Sequence, residues 1–285
     1  MIVRSVRRLL ALGLLAPCAA FAQTDRQATQ RGAAWLESVS ISSVGQQADA
    51  IVALAAAGRS QATLQSRLAT MSTSASSYAV TAGAAAKVVL ATVVARGNPR
   101  SLGGVDYVLR IQRTYRAGRY GATAYDQAYA MLALRVAGVA VPRAAVAAVR
   151  AARGQGGWGF ALRKAGPDDV SATGLTIEAM RAAGVPTTDA GLKAATTWLT
   201  AQANSRGGFH IDGKRKATEA NSTAIAIRGL RAMGRTPATA TRRALRDLQE
   251  TDGGFRFTAT IRESRLFATV DAVLALSGRR LQPPR

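Results

Sequence analysis

The side chains able to do chemistry gather in short polar segments that run ahead of Ala-rich stretches. Asp168 and Asp169 form a doubled acid inside the segment Gly154 to Gly184, which also holds Gly156, Gly157 and Trp158. Asp169, Glu219 and Glu263 share one position of a recurring pattern, and Ser171 with Thr173 and Asn221 with Thr223 follow two and four residues later. Gln47 and Gln127 stand in the column of Thr173 and Thr223. Two readings fit this polar rim. An acid or Asn near a helix start neutralises the helix dipole and takes up free N–H groups. Side chains brought from several repeats to one mouth would instead line a ligand pocket. Both can hold together. On the second reading Asp169, Thr173, Glu219, Asn221, Thr223 and Gln127 are the binding candidates, and Asp168 with Asp169 the catalytic ones.

Other reactive types are sparse. Lys87, inside an otherwise apolar run, reads as a snorkelling residue at an edge. His210, the single histidine, directly follows Phe209 and reads as a turn or surface residue. The single cysteine, Cys18, falls within residues 1–22, where Arg4, Arg7 and Arg8, the apolar run Leu9 to Leu15 and Ala20-Phe21-Ala22 have the order of a cleavable secretory signal. An exported chain starting near Gln23 would hold no disulfide, thiol nucleophile or thiolate metal ligand. Pro17 directly before Cys18 argues against a lipid-attachment box. No later segment is long and apolar enough to cross a membrane.

The formal charge is +22, or +19 without the three arginines of the leader. Such an excess favours anionic surroundings, such as phosphorylated envelope polymers or lipid head groups. The arginines are spread evenly, with no basic run interleaved with aromatics, so specific nucleic-acid binding is not expected.

The elements that must position these residues follow from a repeat. Gly58, Gly97, Gly138, Gly184, Gly234 and Gly278 close six Ala-rich windows at spacings of 39, 41, 46, 50 and 44 residues, each enough for two helices and two connections. Runs such as Gln47 to Leu54 and Gln127 to Leu134 are apolar or small nearly all round, the mark of buried helices. Gly at their ends is expected as a left-handed cap. Pro99, Pro142, Pro186 and Pro237 follow soon after and would open the next helix. That next helix is amphipathic, as in Ala238 to Glu250, where Arg242, Arg243, Arg246 and Asp247 oppose Ala244, Leu245 and Leu248. Alternation of outer and inner helices in six pairs predicts an all-α fold, an α6/α6 toroid, over residues 23–278 with a short basic tail at 279–285. An open solenoid is the competing arrangement, but six pairs is the number that closes a ring.

Gln249 to Gly253 followed by Phe255 resembles the QW-type repeat of the prenyltransferase and squalene-cyclase superfamily, with Phe in place of Trp. Looser forms occur at Gln202 with Gly207, Gly208 and Phe209, at Gly156 with Gly157 and Trp158, and at Gln112 with Gly118 and Tyr120. The resemblance implies the toroid, with Trp158, Phe209 and Phe255 as scaffold. Its chemistries carry over poorly. A zinc prenyltransferase would need Asp, Cys and His ligands, and no cysteine follows residue 22, so no metal or other cofactor is expected. Class II terpenoid cyclases use Asp-x-Asp-Asp, in which one Asp is kept protonated to donate to an alkene; Gly166-Pro167-Asp168-Asp169 lacks the first Asp. The leading expectation is a secreted, non-catalytic toroid that binds a small molecule, a lipid or a partner at its mouth. The alternatives are a class II terpenoid cyclase or prenyltransferase-related enzyme, and a structural protein held to an anionic envelope component.

Overall fold

A computed structural model describes residues 23–213 and 216–279 of the chain; the leader-like residues 1–22 and most of the basic tail lie outside them. Among the described residues the regular structure is helical throughout. Six helices form an outer layer: α1 (Asp25–Ser38), α3 (Gln61–Tyr78), α5 (Tyr107–Thr114), α7 (Arg143–Ala151), α9 (Ala190–Ala201) and α11 (Thr239–Arg246). Six alternate with them as an inner layer: α2 (Val44–Ala56), α4 (Ala82–Val94), α6 (Ala124–Val136), α8 (Val170–Ala182), α10 (Ala220–Ala232) and α12 (Arg265–Leu276). Each inner helix packs on the next, and α12 returns to α2, so the ring closes and the open solenoid is ruled out.

Local sequence explains where the helices begin. Thr24, Ser60, Thr81, Asp106, Thr123, Asp169 and Asp189 each accept a hydrogen bond from a backbone N–H of the first turn, and Thr24 with Gln27 completes a capping box. Small residues then let the inner helices approach. Gly174 on α8 and Gly229 on α10 face each other so closely that a Cβ on Gly229 would lie 2.8 Å from the Cα of Gly174.

The expected left-handed glycine ends five of the six windows, for example Gly58 at φ +81°. In the second window Arg96 takes that conformation at φ +57° instead. Gly97 is still required small, since a Cβ there would sit 2.9 Å from the Thr92 methyl. The prolines open helices less directly than expected. Pro142 is the N-cap of α7, whereas Pro186 lies in the turn ahead of α9 and Pro99 accepts from the N–H of Tyr107 at the start of α5.

Candidate functional site

The glycine and aromatic turns are held by the polar column that the sequence singled out. Trp158, Phe209 and Phe255 donate their backbone N–H to the hydroxyls of Thr173, Thr223 and Thr269 at 2.9, 2.9 and 2.8 Å. Tyr120 does the same to the side-chain carbonyl of Gln127 at 2.8 Å, and the Gln127 amide donates to the carbonyl of Gly118. Gly157 leaves the space that the Thr173 hydroxyl occupies. Thr173, Thr223 and Gln127 are thus buried with their polar atoms committed to the scaffold, and the structure does not bring them to a cavity wall.

The doubled acid also has local partners. Asp168 accepts from the N–H of Gly156 at 2.7 Å, which pins the glycine turn. Asp169 caps α8 through the N–H of Ala172 at 2.5 Å. Burial pushes Asp169 up to about 6, although the N–H groups of Ala172 and Ser171 pull it down. Capping does not explain the whole column. Glu219 makes no cap; it accepts from the N–H of Ile211 at 2.9 Å and from the hydroxyl of Ser222 at 2.7 Å. Glu263 is exposed. His210 is tied in rather than free: its Nε2 lies 3.1 Å from Glu219, and its Nδ1 accepts from the N–H of Asp212.

A cavity of about 700 Å³ opens at the end of the ring where the inner helices begin. Tyr78, Tyr125, Tyr129, Ile225 and Phe257 supply apolar wall, and Lys87, Asp126, Glu219, Asn221 and Asp271 the polar wall. Two of the expected binding residues, Glu219 and Asn221, therefore line it. Val80, Phe160 and Ile211 are exposed large apolar side chains of the loops at this end, with Phe160 tilted against Tyr125 at 5.7 Å. A smaller space of about 70 Å³ shares Lys87, Tyr129 and Asp271 and is also lined by Asp49, Arg228 and Phe267.

Of the floor residues, sequence reasoning singled out only Lys87 and Asn221, yet a signal for the rest existed. They stand two places after the scaffold column, at Asp49, Lys87, Tyr129, Ile225 and Asp271, with companions four residues before at Gly83, Tyr125, Asn221 and Phe267 and three after at Val52, Leu90, Arg228 and Leu274. This i, i+4, i+7 stripe is one face of each inner helix. Lys87, expected at an edge, lies on that face. It donates to Asp49 at 2.6 Å with its nitrogen 5.6 Å from the Tyr129 ring centroid. Burial pulls Lys87 down, but Asp49, Tyr129 and Tyr78 together hold it above its ordinary value, so it stays charged.

Asp271 stands apart electrostatically. Arg228 gives its short bond to Glu178 at 2.6 Å and reaches Asp271 only at 3.9 Å. The amide of Asn221 donates to Asp271 at 2.6 Å. Lys87 pairs with Asp49, and Arg228 bonds Glu178 closely, so Asp271 has only the longer share of Arg228. Burial pushes it up to about 6 against the pull of Arg228 and Asn221, with Asp49 adding to the rise. Burial likewise pushes Tyr129 up to about 12, which keeps it a neutral phenol.

The fold and cavity define a class, the closed α/α toroid with a partly aromatic chamber open at one end. Among solved structures it is similar to the type II terpene cyclase MstE from Scytonema in its apo form, with a TM-score of 0.65 at 12% identity, covering 89% of this chain and 97% of that one. A second structure, a substituted form of MstE in complex with geranylgeranyl dihydroxybenzoate as substrate, matches with a TM-score of 0.63 at 13% identity, covering 89% of this chain and 96% of that one. The ent-copalyl diphosphate synthase from Streptomyces platensis matches with a TM-score of 0.54 at 18% identity, covering 83% of this chain and 50% of that one. No protein-family model and no curated protein matches the sequence. The chain therefore has the α/α toroid fold of terpenoid cyclases, and at these identities the likeness is one of fold.

Proposed function

We propose that the chain is a cyclase-like enzyme that takes an isoprenoid into the central cavity and protonates it with Asp271. The observation that carries this is a largely buried carboxyl on the wall of a partly aromatic chamber, with only a long 3.9 Å contact to an arginine that gives its short bond to Glu178. A carboxylic acid titrating near 6 keeps a protonated fraction at neutral pH, as an acid catalyst must. The proton of Asp271 passes to an alkene carbon, the π electrons become the new C–H bond, and the neighbouring carbon is left cationic. Of the rings that line the cavity, Tyr125 and Phe257 are the ones that would stabilise that charge, since Lys87 already stands over Tyr129. Asn221 and Arg228 then hold the Asp271 carboxylate. A second alkene of the same isoprenoid attacks that cationic carbon, its π electrons becoming the ring C–C bond and the cation moving to its far carbon. Loss of a proton from the adjoining carbon to water forms the cyclic alkene, and water returns a proton to Asp271. The fold shared with terpene cyclases supports the substrate class, since MstE is recorded with a geranylgeranyl compound as substrate.

A second reading, a non-catalytic binder, is favoured by one observation: Asp168 and Asp169, the remnant of the acid motif, are bonded to a turn and a helix end. Incubating the protein with squalene and with geranylgeranyl dihydroxybenzoate separates the two. A cyclised product in wild type that disappears in Asp271→Asn supports the enzyme. Tight binding with no product in either form supports the binder, and no binding removes both. We propose further that the protein works outside the cytoplasm, because residues 1–22 have the order of an export signal. Finding the intact leader on cytoplasmic protein in cell fractions would overturn that part.

A further inference from the structure

We propose that the cavity selects an isoprenoid with an uncharged, hydroxyl-bearing head and rejects prenyl diphosphates. The inference rests on the reading of the cavity as an isoprenoid site and adds the chemistry of the head group.

Charge is the first observation. The two spaces are lined by four carboxyl side chains, Asp49, Asp126, Glu219 and Asp271, and by two cations, Lys87 and Arg228. Both cations are already bonded to carboxylates, Lys87 to Asp49 and Arg228 to Glu178, each at 2.6 Å. With Asp271 protonated the lining is still net negative. The starts of inner helices at the mouth would ordinarily attract an anion. Here the protein's own acids hold two of those positions, Asp126 accepting from the N–H of Gly83 on α4 and Asp169 capping α8, while Glu219 beside them is tied to Ile211 and Ser222. A diphosphate would enter a lining in which, among the described residues, both cations are already engaged.

Hydrogen bonding is the second, independent observation. The side-chain oxygen of Asn221 is buried and accepts from no group, while its nitrogen donates to Asp271. A buried acceptor left without a donor is costly, so a ligand that brings one is favoured. Lys87 carries three donors, of which Asp49 uses one. Asn221 and Lys87 both line one chamber, and once the Asn221 amide turns its buried oxygen to the cavity the two match a hydroxyl, which both gives and takes a hydrogen bond. They do not match a group that only accepts, such as a phosphate.

Equilibrium binding of radiolabelled geranylgeraniol and geranylgeranyl diphosphate to the intact chain tests this. The alcohol should bind about tenfold or more tightly than the diphosphate, the scale of an uncompensated charge contact in a partly dry site. Asn221→Leu should weaken the alcohol about tenfold relative to the C20 hydrocarbon without a hydroxyl. Asp126→Asn should narrow the gap by improving the diphosphate, with near-ultraviolet circular dichroism verifying that each variant is folded. Diphosphate bound as tightly as the alcohol would overturn the head-group assignment and leave the isoprenoid reading standing. If neither alcohol nor hydrocarbon binds, the isoprenoid reading itself falls.

Discussion

Asp271 on α12 and Thr223 on α10 show how the inner helices divide their residues between chemistry and scaffold. The carboxyl of Asp271 is raised from an ordinary 3.8 to about 6. The folded state therefore holds its proton at pH values where the unfolded chain has lost it, and the stability this gives is present below about 4 and is lost as pH rises through 6. In Asp271→Asn the new amide can donate to the free oxygen of Asn221, and the penalty for ionising is gone. The expected gain at pH 7.5 is on the order of 2 kcal/mol, vanishing near pH 4, with product formation abolished at both. Urea unfolding of both forms across that pH range measures it; a variant less stable than wild type at pH 7.5 would show that the carboxylate is the favoured form. Thr223→Val should behave in the opposite way. It strips the hydroxyl from the buried N–H of Phe209 and should cost about 1–3 kcal/mol while leaving ligand affinity unchanged, as a scaffold residue would. The sequence put Thr223 and Asp169 forward because polar residues ahead of apolar runs attract notice. It passed over Asp271 because one acid two places after Thr269 repeats nowhere but at Asp49, and only the closed ring shows that these two face the same chamber.

Elements were far more legible than sites, and the physical reason is periodicity. Six windows of small residues ending in glycine fixed the inner helices to within a few residues, as α8 and α10 illustrate. What the pattern could not foretell was contact at a crossing. Gly174 and Gly229 look like ordinary members of Ala-rich runs, but there the backbones touch: a Cβ on Gly174 would lie 2.8 Å from the carbonyl oxygen of Ile225. Backbone cannot step aside as a side-chain tip can. Gly229→Ala should therefore force α8 and α10 apart and cost about 1–3 kcal/mol, despite Ala being the better helix former by about 1 kcal/mol. Thermal unfolding measures this directly. Gly184→Ala, at φ +92° with open space around its Cβ position, should be destabilised through backbone strain alone and leave the helix crossing unchanged.

At the scale of the whole molecule the ring has a seam, where the last helical pair meets the first, and the chain seals it with ion pairs added to the repeat turn at Gln249 to Phe255. Asp25, at the start of α1, receives Arg242 at 2.8 Å and also Arg246, both from α11. Arg31 donates to the carbonyls of Glu250 and Thr251, and Gln249 to the carbonyl of Ala28. Underneath, α1 packs along α12 and α12 against α2, so the apolar seal depends on α1 being held in place. Removing Asp25 leaves two guanidinium groups side by side with nothing between them, a local repulsion added to the lost pair. Asp25→Ala should thus cost about 1–3 kcal/mol, or roughly 2–4 °C in melting temperature for each kcal/mol in a chain of this length. Because the other inner contacts do not pass through the seam, the loss should be local first. Amide exchange should quicken in α1 and α11 before it does in α6 and α8, on the far side of the ring. Uniform acceleration across all inner helices would mean that the toroid unfolds as a single unit and that its seam is no weaker than any other joint.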